Sequence, residues 1–508
     1  MKNKKSKWQL ATYQTERLSA IPSMASAVSK KISSFMLAHR KMVDEASLFF
    51  ETYKCDLLKL TKLKKNLVNY TEQIDIINDY KKEHGKLPQI VNQSSTDKYL
   101  TQLYKLEQQI KNEYTSLHSL LLQQKINRFE ALDHLTDNML DLLNNQRIFS
   151  QFLGTIVLST PLPDEGVRCI RNEKFKPIYI AGLVVALFEE IRLTRDFKNA
   201  YLNECMKDMF DNNTDSFMAL EQNALSNEVM AQYREDVLKP IAKAALLQSI
   251  GSYAPEAQDV FSGDRYRMLT VTERKQLLEI VRLKSIDYFK FGIGVPERKA
   301  NTHEERLEHT QFEQKKQSFI LSFFAKENID NSELHKLLRI PLIYSSFMVS
   351  TKPEFNYKKI YTAYDTLKES AMNKETDPLF TKLFLSMVGY FPLGSGIYFI
   401  SQETHVIEKG IVSSLYPANP YGPICKQITR QQIKSLSQKE VIVSSNTNVF
   451  FTNTRLKSEF EPEFYNLKYK NTYTWNANEV WEVQIPALEF WRKDGTRKRN
   501  DFLLTNLK

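Results

Sequence analysis

Ala244-Ala245-Leu246-Leu247-Gln248-Ser249-Ile250-Gly251 ends a helical stretch that starts near residue 228, and Val388-Gly389-Tyr390-Phe391-Pro392-Leu393-Gly394-Ser395 marks where helical character stops. Around these two landmarks, residues 178–389 carry helical periodicity almost throughout. Examples are 180–192, 228–250 and 272–291, with a shorter segment at 314–324. After Phe391 the pattern changes. Residues 396–400 and 406–413 run β-branched and aromatic around the polar turn 401–404, which predicts a β-hairpin. Further strands are expected at 441–445, 449–452, 471–475 and 480–485. The fold class is therefore mainly α with a β-rich C-terminal element.

The N-terminal third has its own logic. Residues 1–29 read as a basic arm, and a long helix is predicted from Lys30. Within it Leu60, Leu63, Leu67, Tyr70, Ile74 and Ile77 alternate spacings of three and four, a heptad seam. The polar stretch 82–97, with Gly85 and Pro88, predicts a turn. A second helix follows, with Leu103, Leu106, Ile110, Leu117 and Leu120 on a seam interrupted by Glu113. Two such helices should fold back as an antiparallel hairpin, either a coiled-coil stalk or a hairpin packed on its own body. A third helix is expected over 126–152, and the Pro-containing stretch 158–165 marks a boundary. The expected parts are an arm (1–29), a helical hairpin or coiled coil (30–157), a helical bundle (158–392) and a β-rich element (393–508).

Composition narrows the class. A chain of 508 residues exceeds what one core usually needs, and 42% apolar with 26% charged residues is ordinary for a globular protein. Only 14 glycines and 17 prolines argue against long disorder and for helices. The net charge is +10, of which residues 1–45 carry +6 (nine basic, three acidic) and residues 486–508 carry +3 (six basic, three acidic). Such ends can meet anionic lipid or nucleic acid, or simply be solvated tails. The basic turn containing Arg492, Lys493, Arg497, Lys498 and Arg499 follows Phe490 and Trp491 and is the candidate anion-binding segment. Cys55, Cys169, Cys205 and Cys425 lack metal-ligand spacing, which fits a reducing compartment. The longest apolar run, 178–188, is too short to span a bilayer. A cytoplasmic protein without a transmembrane segment is expected, with a membrane-peripheral one as the alternative.

The two landmark stretches resemble those of the HD-GYP branch of the HD phosphohydrolases, helical bundles whose usual members hydrolyse cyclic di-GMP. The resemblance spans roughly residues 175–425. In that family the first stretch reads about A-A-L-L-H-D-I-G, whereas this chain has Gln248-Ser249. The resemblance implies further metal ligands at positions occupied here by Ile180, by Arg282 or Leu283, by Phe323-Phe324 and by Ser345. No histidine occurs between His134 and His303. Ser, Gln, Ile and Phe cannot replace imidazole and carboxylate around a catalytic divalent metal. The resemblance and these losses together imply a degenerate HD-GYP-like pseudoenzyme: no catalytic residue, no metal, no cofactor, and a bacterial signalling or scaffold role linked to cyclic di-GMP. Its expected contacts are a protein partner or self-association through residues 30–150, with a cyclic dinucleotide as a further ligand. One competing reading is a metal-dependent phosphodiesterase with unusual ligands. Another is a protein that binds nucleic acid or an anionic surface through its basic ends.

Other motifs carry less. His303 and His309 flank an acidic segment, but six residues do not place them on one helical face, so a solvated loop or helix start is expected. Gly292-Ile293-Gly294 lacks a preceding strand and reads as a helix end and turn rather than a phosphate cradle.

Overall fold

The computed structural model describes residues 27–89, 95–143, 146–158, 165–207, 227–295, 302–325, 332–428, 440–458, 461–469, 473–475 and 477. Residues 1–26 of the expected arm, the expected strand 480–485 and the anion-binding candidates Arg492, Lys493, Arg497, Lys498 and Arg499 lie outside the described residues, and residues 27–29 of the expected arm are helical.

The architecture follows from one helix. The run 178–188 is apolar on every face, so a helix built from it must be covered all round. It forms the middle of α4 (Glu165–Thr194), which follows α1 (Ala27–His84), α2 (Thr96–Leu143) and α3 (Gln146–Leu158). Ile178, Ile180, Leu183, Val184, Leu187, Phe188 and Ile191 are each fully buried. Around them the chain continues through α5 (Ala200–Met206), α6 (Asn227–Tyr233) and a π-helical turn (Arg234–Leu238) into α7 (Lys239–Leu247). A 3-10 turn (Ile250–Tyr253) leads to α8 (Pro255–Phe261) and then α9 (Val271–Asp287), which ends in a second π turn (Tyr288–Gly292). The bundle closes with α10 (His303–Ser322), α11 (Ser332–Met348), α12 (Ala363–Met372) and α13 (Pro378–Val388). α7, α11 and α13 pack directly on α4, as do the bases of α1 and α2. At its end two buried charges pair: Glu189 accepts from Arg192 at 3.0 Å and from the Tyr233 hydroxyl, tying α4 to α6.

The C-terminal element is a five-stranded antiparallel sheet in the order β4-β3-β2-β1-β5. Its strands are β1 (Gly396–Ile400), β2 (Ile407–Val412), β3 (Ile424–Ile428), β4 (Glu440–Ile442) and β5 (Thr474–Trp475), with α14 (Thr452–Leu456) and α15 (Pro462–Tyr469) between β4 and β5. The first hairpin is the one expected, with Ile397 opposite Gly410. The expected strand at 449–452 is not one. Asn448 makes only an isolated bridge to Phe399, and the chain turns into α14. β3, α14 and α15 have no counterpart among the expected elements. Gly389, at φ +69, caps α13 against Pro417, and Gly394, at φ +82, packs on Val157 and Leu158, so this landmark is a backbone joint between bundle and sheet. One hydrophobic core continues from Phe35 through the bundle to Val443.

The hairpin forms, and its two arms pack on each other. Thr71 donates to Glu107 and Asn78 to Tyr104, so the arms run antiparallel. The first seam faces inward as expected, with Leu63, Ile74 and Ile77 buried. The second holds at Leu103, Ile110 and Leu117 but not at Leu106 and Leu120, which are exposed; Glu107, Tyr114 and Leu121 complete the inward face. This register also removes the interruption at Glu113, which points out. The second and third expected helices are one, because nothing near residue 126 breaks α2. The base of α1 belongs to the main core: Phe49 stacks on Tyr53 and meets Tyr288 edge-on. Lys54 pairs with Glu256 at 3.1 Å. Beyond it, residues 55–84 span about 45 Å of helix, and there Ile74, Ile77, Leu100 and Leu103 form a separate small core.

Because the two cores are separate, Ile74→Lys with Ile77→Lys should open the outer hairpin alone. Hydrogen exchange should accelerate over residues 60–115 while the main unfolding transition stays within about 1 kcal/mol of wild type. Loss of protection in α4 as well would show the two cores to be one cooperative unit. His39, buried at the hairpin base, provides a second check. Burial outweighs the attraction of Glu173 and holds its imidazole down at about 4, against an ordinary 6.5. A depressed folded value contributes stability above pH 6.5 that is lost as pH falls toward 4. His39→Gln should therefore flatten the pH dependence of stability in that window, by up to about 3 kcal/mol, in denaturant titrations.

Candidate functional site at the base of the hairpin

The positions implied by the resemblance are brought together only in part. Gln248 ends α7 and Ser249 begins the following turn. Ser285 of α9 donates to the Gln248 carbonyl at 3.4 Å and accepts from the Gly251 amide at 3.0 Å. A Cβ on Gly251 would lie 2.3 Å from the Val281 carbonyl, so only glycine allows α9 to approach this closely. Arg282 faces inward, donating to the Phe324 carbonyl at 3.0 Å and pairing with Glu279. Leu283, the other candidate for that position, is 46% exposed and faces away. The remaining positions join the apolar core: Ile180 within α4, Phe323 edge-on to Phe319, and Ser345 donating to its own helix at Leu342. Among the described residues no three His, Cys, Asp or Glu side chains are placed to hold a metal ion.

A cleft of about 280 Å³ lies instead where α2 meets α7, α10 and the turn after α9. Phe129, Leu132, Phe289, Ile293 and Ile320 give it apolar walls. Lys243, Lys316, Glu235, Glu313 and His309 supply its polar groups. His303, by contrast, is exposed in the first turn of α10, which starts at a Thr302–Glu305 capping box. The segment 303–316 is thus helix, and only its inner edge lines the cleft.

Two sets of ion pairs lie beside the cleft, one joining α2 to α7 and the π turn, the other joining α10 to the π turn. α2 presents Asp133, Asp137 and Asp141 one turn apart, and α7 presents Lys239 and Lys243 in the same spacing. Lys243 meets Asp133 at 2.5 Å and sits 4.3 Å from the centre of the Phe129 ring. Lys239 bridges Asp133 (2.9 Å), Asp137 (3.0 Å) and Glu235 (2.6 Å). Arg234 holds Asp141 at 2.8 Å, and Lys316 joins Asp236 and Glu313 at 2.9 and 3.0 Å. The π turn 234–238 makes this possible, because its extra residue aims Arg234 toward α2 and Asp236 toward α10.

Burial and pairing compete at each group. Burial lowers the Lys243 ammonium, and the carboxylates of Asp133 and, more weakly, Glu235 do not fully offset it. For Lys239 burial acts the same way, but three carboxylates outweigh it and its value is raised. Burial would raise Asp133, yet Lys243 and Lys239 hold it below its ordinary 3.8. Every lysine here is already engaged, so the arrangement fixes α2 onto the bundle and offers a shaped cleft rather than a free acid–base pair. Sequence reasoning passes over Asp133, Lys239 and Lys243. Their signal is the four-residue spacing of opposite charges on two otherwise core-forming helices.

Comparison with family models, with curated proteins and with solved structures returned no match.

Replacing Asp133 with Asn strands Lys243 in the core. The expected loss is about 3–5 kcal/mol in denaturant unfolding, as for one partner of a buried pair. The lowered folded value of Asp133 contributes stability above pH 3.8 that disappears as pH falls through that lowered value, and the variant should lose this acid-side slope. The double change Asp133→Leu with Lys243→Met should recover most of the loss; failure to recover would mean the pair does more than neutralise charge.

Proposed function

We propose that this chain is a non-catalytic scaffold, a degenerate HD-GYP-like bundle linked to cyclic di-GMP signalling that displays its helical hairpin to another copy of itself. The observation that carries the first half is the side chains at the implied ligand positions: Ile180, Phe323, Phe324 and Ser345 are packed in the core, and Gln248 and Ser249 serve as helix-end residues. Groups of this chemistry do not ligate a hydrolytic metal.

The hairpin supports the second half. Leu58 (72% exposed), Ile76, Leu106 and Leu120 face outward on the arms. Leu106 and Leu120 are two heptads apart on one face of α2, the spacing by which a second hairpin would pack alongside.

Two measurements test the reading. Elemental analysis of protein expressed with added iron and manganese should find no stoichiometric metal, and cyclic di-GMP should not be turned over. Two metals per chain with chelator-sensitive turnover would establish the phosphodiesterase instead. Light scattering should give a mass above the monomer that falls to the monomer in Leu106→Lys/Leu120→Lys while the unfolding transition is retained. A wild-type monomer would remove the self-association.

A further inference from the structure

One aromatic cluster belongs neither to the implied ligand positions nor to the cleft. It lies at the joint between bundle and sheet, where four separate segments meet. α12 supplies Tyr364, the stretch after α13 supplies Tyr390, the turn between β2 and β3 supplies Tyr421, and the segment before α14 supplies Phe450 and Phe451. All five side chains are half-buried. The ring centre of Tyr390 lies 5.3 Å from that of Tyr364 and 5.2 Å from that of Tyr421, and the third side of the triangle is 5.8 Å. The three rings are tilted to one another by 50°, 34° and 54°, so none stacks flat on its neighbour. Phe450 and Phe451 extend the cluster, 5.7 Å from Tyr390 and 6.2 Å from Tyr421. The rings are held from below and behind. Buried Phe391 meets Phe450 and Phe451 edge-on at 5.3 and 6.0 Å. The Tyr390 amide donates to the Pro420 carbonyl at 2.8 Å, and the Tyr421 amide to the Asn419 side chain at 3.0 Å.

The charge around these rings is one-sided. The Tyr390 hydroxyl donates to the exposed carboxylate of Asp365 at 3.1 Å. Among the described residues Asp365 enters no ion pair, and no Lys or Arg stands over any of the five rings. Other rings of the same element carry a cation of the chain. Lys409 lies 4.9 Å from the centre of the Trp475 ring, Lys468 lies 4.7 Å from that of Phe464, and Arg455 lies 3.7 Å from that of Tyr473. Aromatic faces are the negative side of the ring quadrupole and attract a cation within about 6 Å of the centroid. A point above the tyrosine triangle satisfies that distance for all three rings at once, with the Asp365 charge at its rim. The cation's class follows from hydrogen bonding. A primary ammonium or a guanidinium set on ring faces gives up water partners for its N–H groups. A quaternary ammonium has no N–H to strand, and its methyl groups pack on the rings.

We propose that Tyr364, Tyr390 and Tyr421, with Asp365 at their edge, form a site for a quaternary ammonium group of the choline type, free or on a lipid headgroup. The test uses the full chain. In the first arm, saturation-transfer NMR follows the methyl protons of choline and of its uncharged isostere 3,3-dimethylbutan-1-ol. Choline should bind at least about tenfold more tightly than the alcohol, because only the charge differs. The second arm compares phosphatidylcholine–phosphatidylglycerol vesicles with vesicles in which phosphatidylethanolamine replaces the phosphatidylcholine. The surface charge is equal, so the basic ends of the chain contribute equally to both. Tyr421→Leu should weaken binding in the productive arm by about tenfold or more, and Asp365→Asn by several-fold. Tyr364→Phe should bind as wild type does, since the ring face and not the hydroxyl is used. Choline binding without vesicle preference assigns a free ligand, and preference for phosphatidylcholine assigns a headgroup. The proposal is overturned if neither arm responds, if the alcohol binds as well as choline, or if Tyr421→Leu binds as wild type does. Should Tyr421→Leu fail to fold, unchanged binding by Asp365→Asn, which lies on an exposed helix surface, overturns it instead.

Discussion

The burial of α4 on every side is the constraint on which the rest of the structure depends. A helix with apolar residues at each of positions 178–188 has no face for water, so helices must surround it completely. α7, α11, α13 and the bases of α1 and α2 do so. Where the run ends, Glu189 and Arg192 must stay buried, and they do so by pairing with each other and with Tyr233. The desolvation of that pair is large, and it is tolerated because its groups face one another across α4 and α6.

The same economy of charge shapes the hairpin's attachment. Apolar contacts of Phe35, Phe49 and Leu132 bring the hairpin base onto the bundle. The ion-pair chain from Asp141 to Lys243 fixes its rotation, because carboxylates at one-turn spacing on α2 meet lysines at one-turn spacing on α7. The cleft is a by-product of that fit, left where α2, α7 and α10 diverge.

The landmark glycines carry a related lesson. Gly251, Gly389 and Gly394 belong to the stretches that resemble a family pattern. Each has a local steric reason: close approach of α9, the end of α13 against Pro417, and the turn packed on Val157. Such reasons hold whether or not a metal site ever stood nearby, so the pattern by itself decides backbone geometry and not chemistry.

Periodicity is enough to place most helices, the hairpin and the first β-hairpin, because these depend on local spacing of apolar residues and on turn residues. It also identifies the first heptad seam, where Leu63, Ile74 and Ile77 are inward. It places Leu103, Ile110 and Leu117 of the second correctly but misplaces Leu106 and Leu120, since Leu106 and Glu107 are adjacent and only the partner arm decides which of them turns inward. Short elements such as β3, α14 and α15 are illegible for the same reason: a five-residue strand is fixed by its neighbour's hydrogen bonds, not by its own sequence. The site follows this division. Sequence alone determined that Gln248, Ser249, Phe323, Phe324 and Ser345 are neither imidazole nor carboxylate residues. Only tertiary structure decided that Lys239 and Lys243 meet Asp133, because these partners lie more than 100 residues apart along the chain.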